Sequence, residues 1–166
     1  MTRERGKSKE QSEPGVPEGY SAEEWAEYQA DPVGFCIKEL NSRDASVRYN
    51  AVDILRGCAG DAKAAIPALC ELLLKDKDRE VRAQCAFALR EICERVEARA
   101  ARQAVGPLAE ALRDSYAEVR SLAANALGAL GRLAKLAKPR LLEARKDRNA
   151  GVREAVEEAL ELLESV

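Results

Sequence analysis

The chain has 166 residues, with 27 Lys and Arg against 29 Asp and Glu, and only 4% of residues are aromatic. A net charge of −2 argues against non-specific nucleic-acid binding by the surface as a whole. There is no His, which removes imidazole as general base, proton shuttle or metal ligand and with it most common catalytic arrangements.

Ala and Leu dominate the apolar residues, which favours closely packed helices over a sheet. The five cysteines, Cys36, Cys58, Cys70, Cys85 and Cys93, form no Cys-x-x-Cys pair and read as reduced core residues. No metal, cofactor or zinc site is expected. No run approaches the ~20 apolar residues of a membrane span. The basic N-terminus lacks the apolar stretch of a signal peptide, so a cytoplasmic location is expected.

Residues 1–19 are polar and carry Pro14, Gly15, Pro17 and Gly19, the composition of a flexible tail. Charge is segregated here: residues 1–9 hold four bases and one acid, residues 10–31 seven acids and no base. Ser21 and Glu24 form a capping box that opens a helix over 21–30, with Trp25 and Tyr28 on one face. Asp31-Pro32 opens a second helix over 32–41, carrying Phe35 and Cys36. The periodicity then predicts helices over 44–58, 62–75, 78–96, 98–113, 115–131, 134–146 and 149–165.

Four segments repeat in register, marked by Val47-Arg48, Val81-Arg82, Val119-Arg120 and Val152-Arg153 at intervals of 34, 38 and 33 residues. Four residues after each Val stand Ala51, Cys85, Ala123 and Val156; eight after stand Leu55, Leu89, Leu127 and Leu160. Together with offsets seven and eleven they trace one helical stripe. Each such helix is followed by one with Pro in or near its first turn: Pro67, Pro107 and Pro139. Gly57, Gly60, Gly128 and Gly131 mark the ends of the preceding helices. The longer middle interval is assigned to extra helix ending near Glu97.

These residues resemble HEAT repeats, of the short kind found in phycobilin-lyase-type proteins. The stretch Leu72-Leu73-Leu74-Lys75-Asp76-Lys77-Asp78-Arg79-Glu80-Val81-Arg82 carries the pattern, and the resemblance covers about residues 32–166. It implies an all-α fold: a right-handed α-solenoid superhelix, armadillo-like, with about three full repeats plus capping helices. The division is a charged tail at 1–19 and one solenoid domain at 20–166, with cap helices at 20–41, repeats at 42–148 and a final cap helix at 149–166. It further implies that Arg48, Arg82, Arg120 and Arg153 pair with Asp44, Asp76, Asp114 and Asp147. Tyr116 departs from the pattern where an N-cap is expected, and Ser115 is the alternative cap. Trp25, Tyr28 and Phe35 are assigned to covering the N-terminal end, the alternative being that the Trp25–Tyr28 helix docks another protein. The acids Glu154, Glu157, Glu158, Glu161 and Glu164 are assigned to a polar outer face of the last helix.

Function follows from where such stacks bind. The resemblance implies a concave face lined by the second, Pro-bearing helix of each pair. Residues 132–148 hold seven bases and two acids. Arg99, Arg102, Arg113, Lys135, Lys138 and Arg145 are therefore the candidate contacts, a basic stripe for another protein with an acidic surface. The expected function is a non-catalytic protein-binding scaffold. The alternatives are a subunit of a phycobilin-lyase-like enzyme and nucleic-acid binding through the basic groove. No aromatic is interleaved for base stacking, which disfavours the last.

Overall fold

The computed structural model describes residues 16–17 and 19–165. Most of the predicted tail therefore lies outside the described residues. Nine α-helices follow among the described residues: α1 (Ala22–Ala30), α2 (Pro32–Glu39), α3 (Ala45–Cys58), α4 (Ile66–Lys75), α5 (Arg79–Cys93), α6 (Ala98–Ala111), α7 (Ala117–Leu130), α8 (Lys138–Ala144) and α9 (Ala150–Glu164). Two 3-10 segments, Ala59–Ala65 and Gly131–Ala137, lead into α4 and α8. No helix of the described residues is long and apolar enough to cross a membrane.

The helices form two layers. The Val-Arg helices α3, α5, α7 and α9 pack side by side in one; α4, α6 and α8 form the other. The tight hairpin joins a Pro-bearing helix to the Val-Arg helix after it, as in α4–α5 and α6–α7. The natural unit is thus Pro helix first, with α2–α3 the opening hairpin and α1 lying in front of it.

The shared stripe becomes the core. Val81, Val119 and Val152 are buried, as are Leu55, Leu89, Leu127 and Leu160. Val47 differs: it is only partly buried, as are Ile54 and Cys58 on the same helix. Only α1 and α2, rather than a full repeat, shield that end. There Tyr20, Trp25, Tyr28 and Phe35 cluster, with Trp25 stacked on Tyr28 at 5.3 Å. Phe35 is buried, while α1 itself buries no residue. Glu27 of α1 pairs with Lys38 of α2.

Turn chemistry explains the boundaries. Ser21 and Glu24 form the capping box. Asp31, Asp44, Asp78 and Asn149 cap their helices through side-chain acceptors. Neither Tyr116 nor Ser115 caps α7. Tyr116 donates its N–H to Asp114, and its ring lies 4.6 Å beneath the Arg79 guanidinium. Pro67 and Pro139 sit at helix starts, but Pro107 lies inside α6. The extra residues of the long interval extend α6 at its N-terminus, where the other repeats run as 3-10 segments. Gly131 caps α7 at φ 52°, and its counterpart Ala59 caps α3 at φ 50°. Gly128 lies within α7, where a Cβ would stand 2.9 Å from the Ala159 Cα.

The Arg after each Val staples one repeat to the next. Arg48 donates from Nε and Nη2 to the Asp76 carboxylate, both at 2.7 Å, and from Nη1 to the Ser42 carbonyl at 2.9 Å. Arg82 does the same with Asp114, at 2.7 and 2.9 Å, and with the Asp76 carbonyl. Arg120 repeats it with Asp147, at 2.7 and 2.8 Å, and with the Asp114 carbonyl. Each Asp also accepts the N–H two residues on, from Asp78, Tyr116 and Asn149. The pairing is therefore one repeat further along than the expected register: each guanidinium binds the backbone of its own turn and the carboxylate of the following one. Arg153 reaches only the Asp147 and Arg148 carbonyls, and no carboxylate meets it among the described residues.

Burial alone would raise the Asp76 and Asp114 carboxyls. The Arg48 and Arg82 hydrogen bonds and the turn N–H groups outweigh it and hold both below the usual range. At Asp147 the Arg120 hydrogen bond dominates, with the same result. A carboxyl depressed in the folded state adds stability above its unfolded value and loses it as pH falls through the folded one. The melting temperature should hold from about pH 7 to 5 and drop below about pH 4, where ordinary Asp protonates. Ala59 occupies a left-handed backbone that a Cβ strains, so Ala59→Gly should stabilise by about 1 kcal/mol, raising the melting temperature by roughly 2–4 °C. Gly128→Ala should lower it, since helix backbone must yield to the new methyl. Calorimetry of the three chains checks both.

Candidate functional site

The six cations expected to form one stripe lie on or beside α6, the second 3-10 segment and α8. Arg99 and Arg102 lie in the first turns of α6, exposed and without a carboxylate partner among the described residues. Lys135 projects from the 3-10 segment in the same condition. The other three each meet a glutamate. Arg113 pairs with Glu143 at 2.8 Å, Lys138 with Glu164 at 2.8 Å, and Arg145 with Glu157 at 2.7 Å. Arg113 and Arg140 hold the Glu143 carboxyl low, Lys138 does so for Glu164, and Glu157 raises Arg145. These pairs are solvent-exposed, where their worth is under about 1 kcal/mol. Half of the expected stripe is thus neutralised within the fold.

A hollow lies on the opposite layer. It measures about 350 Å³ and is lined by Arg90 and Glu94 of α5, Asn125, Gly128 and Ala129 of α7, and Glu158, Ala159 and Leu162 of α9. This hollow lies on the Val-Arg helices, whereas the expected stripe lies on the Pro-bearing ones. Gly128, Ala129 and Ala159 line it together with the exposed Leu162. Arg90 and Glu94 pair at 3.4 Å. The Asn125 carboxamide and the Glu158 carboxylate have no hydrogen-bond partner among the described residues, so both are available to a ligand.

The same face is closed at the N-terminal half. There Asp53 accepts from Arg56 Nη2 at 2.7 Å and from Gln84 Nε2 at 2.8 Å, and Arg56 lies 5.0 Å over the Phe87 ring. Asp53, Phe87, Asn125 and Glu158 each stand six residues after the repeat Val. The register that located the core therefore also locates this outward row.

Four cysteines are buried and Cys58 is partly so. Burial pushes the thiols of Cys36 and Cys93 up to about 11 and that of Cys70 to about 12, and raises Cys85 further. They are protonated packing groups rather than nucleophiles. No group of three or more Cys, Asp or Glu suited to a metal ion occurs among the described residues.

A two-layer stack of helical hairpins, stapled turn to turn by Arg and Asp, is an α-solenoid of the HEAT and armadillo class. A family model for HEAT repeats matches residues 35–102 and 66–161, and the chain belongs to that family. No curated protein matches it. Among solved structures it is similar to an engineered protein at 26% identity and TM-score 0.68, over 86% of this chain and 66% of the other. A designed armadillo repeat protein in complex with the peptide (KR)4 matches at 20% identity and TM-score 0.68, over 84% of this chain and 67% of the other. The complex of CpcE and CpcF of phycocyanin lyase from Nostoc sp. PCC7120 matches at 20% identity and TM-score 0.67, over 82% and 86%. The chain spans about two thirds of the length of the two designed proteins.

Replacing Arg113, Lys138 or Arg145 singly by Ala should change unfolding free energy by less than about 1 kcal/mol. Denaturant titration of the three variants measures it.

Proposed function

We propose that the chain is a non-catalytic protein-binding module that holds an extended segment of its partner in the hollow across α5, α7 and α9. The carrying observation is Asn125. Its carboxamide offers both a donor and an acceptor, the pair that an extended backbone presents. The small residues Gly128, Ala129 and Ala159 line the same hollow, which favours close approach of a chain. Glu158 adds an unpaired negative charge at the rim, which favours Lys or Arg in the bound segment. The absence of His and the buried, protonated thiols support the non-catalytic reading. The likeness to a lyase complex is one of fold, so a lyase-subunit role rests on fold alone.

A second reading, an acidic protein partner, fits the other layer. Arg99, Arg102 and Lys135 reach solvent there without a carboxylate. Nucleic acid is less favoured, because no aromatic accompanies them.

The hollow is tested with a fluorescein-labelled (KR)4 peptide, whose charge suits Glu158. Anisotropy should show saturable binding, weakened about fivefold or more by Asn125→Ala and by Glu158→Arg. Unchanged binding in both variants, or no saturable binding at all, contradicts the proposal.

A further inference from the structure

The segment leading into α8 is a 3-10 turn from Gly131 to Ala137. With three residues per turn, side chains at i and i+3 eclipse. Two lines therefore run side by side. One is apolar: Leu133, Leu136 and, continuing onto α8, Pro139 and Leu142. The other is cationic: Arg132, Lys135 and Lys138.

Leu133 is half-buried against the core, but Leu136 is 89% exposed and Leu142 43%. The equivalent segment Ala59–Ala65 carries Ala64 where Leu136 stands, and Ala64 is exposed as well. That position faces outward in both repeats. A leucine there adds nothing to the core of this chain and leaves a large apolar side chain in water. Around the ridge, Arg132, Lys135 and Lys146 have no carboxylate partner among the described residues, while Lys138 is held by Glu164. Lys146 follows in the turn after α8, four residues beyond Leu142.

We infer that Leu136, Pro139 and Leu142, flanked by Arg132, Lys135 and Lys146, form a docking ridge for an acidic amphipathic segment of a partner protein. Such a segment covers the leucines with its own apolar side chains and brings Asp or Glu to the flanking cations. A bare phosphate backbone satisfies the cations but leaves the leucines in water. An anionic bilayer is the other surface that could meet both leucines and cations, and the vesicle arm of the test below distinguishes it. The ridge lies on the layer opposite the hollow, so either site can fail without the other. It gives the second reading above its apolar determinant and its partner chemistry.

The test uses the full chain and a fluorescein-labelled synthetic helix with Leu at i, i+3 and i+7 and Glu at its outward positions. Anisotropy should show saturable binding that weakens about tenfold in Leu136→Asp and in the Lys135→Glu, Lys146→Glu double variant, with salt weakening it further. Both variants alter exposed residues, so their melting temperatures should match the parent. Asn125→Ala should bind this probe unchanged, which separates the ridge from the hollow. Four results overturn the proposal: equal binding of a probe with Lys in place of Glu; no effect of Leu136→Asp; Leu136-dependent binding to phosphatidylserine vesicles but not to the helix; and Leu136-dependent self-association in sedimentation, which would make a second copy the occupant.

Discussion

One guanidinium shared between two consecutive turns is the constraint on which this fold depends. A single hairpin cannot bury its apolar faces, so each must dock on the next in a fixed register. Packing of Ala, Val and Leu supplies the attraction but is tolerant of sliding. The Arg fork is not: two parallel bonds to a carboxylate demand one distance and one plane. Because the third nitrogen binds the carbonyl of its own turn, and the Asp pins the turn beyond, each staple fixes turn geometry and inter-repeat spacing together. The charges involved are largely removed from water, with Arg120 only 5% exposed. Loss of one partner would then leave a buried charge uncompensated.

The ends of the stack follow from the same unit. At the start, Ser42 stands where later repeats have Asp76, Asp114 and Asp147, so no upstream Arg is needed. Its hydroxyl accepts the Asp44 N–H instead. At the other end, Arg153 keeps half of the interaction. The positions that face the next repeat are Val52, Ala86 and Ala124, all fully buried. Their counterpart in α9 is the exposed Glu157, which pairs with Arg145. The stack's two layers offer different chemistry: a hollow with a free amide and a glutamate on one, a leucine ridge among cations on the other.

Much of the fold was legible because Val, small, Leu and Leu recur at helical offsets in four segments, and one stripe cannot satisfy any other period. Helix starts were legible from Ser21, Asp31, Asp44, Asp78 and Asn149, whose caps are local. The staple register was not. Which Asp meets which Arg depends on how hairpins stack, and Asp44 and Asp76 look equivalent in the chain although one caps a helix and the other receives a guanidinium. Pro107 misled for a related reason: α6 extends backward through a stretch where its counterparts are 3-10. The candidate site was read from charge alone. Charge counting found Arg113, Lys138 and Arg145 but could not reveal their glutamate partners, which stand 30, 26 and 12 residues away. Nothing in the sequence marks Leu136 as exposed, because burial depends on which neighbours the stack brings beside it.

The most direct measurement is a double-mutant cycle on Arg82 and Asp114, using Arg82→Met and Asp114→Leu singly and together, with unfolding followed in urea. Each single variant should lose about 3–5 kcal/mol, and the double much less than their sum, giving a coupling of about 2 kcal/mol or more. Additive losses, with coupling under about 0.5 kcal/mol, would mean that the repeats are held in register by apolar packing and that the staples are incidental.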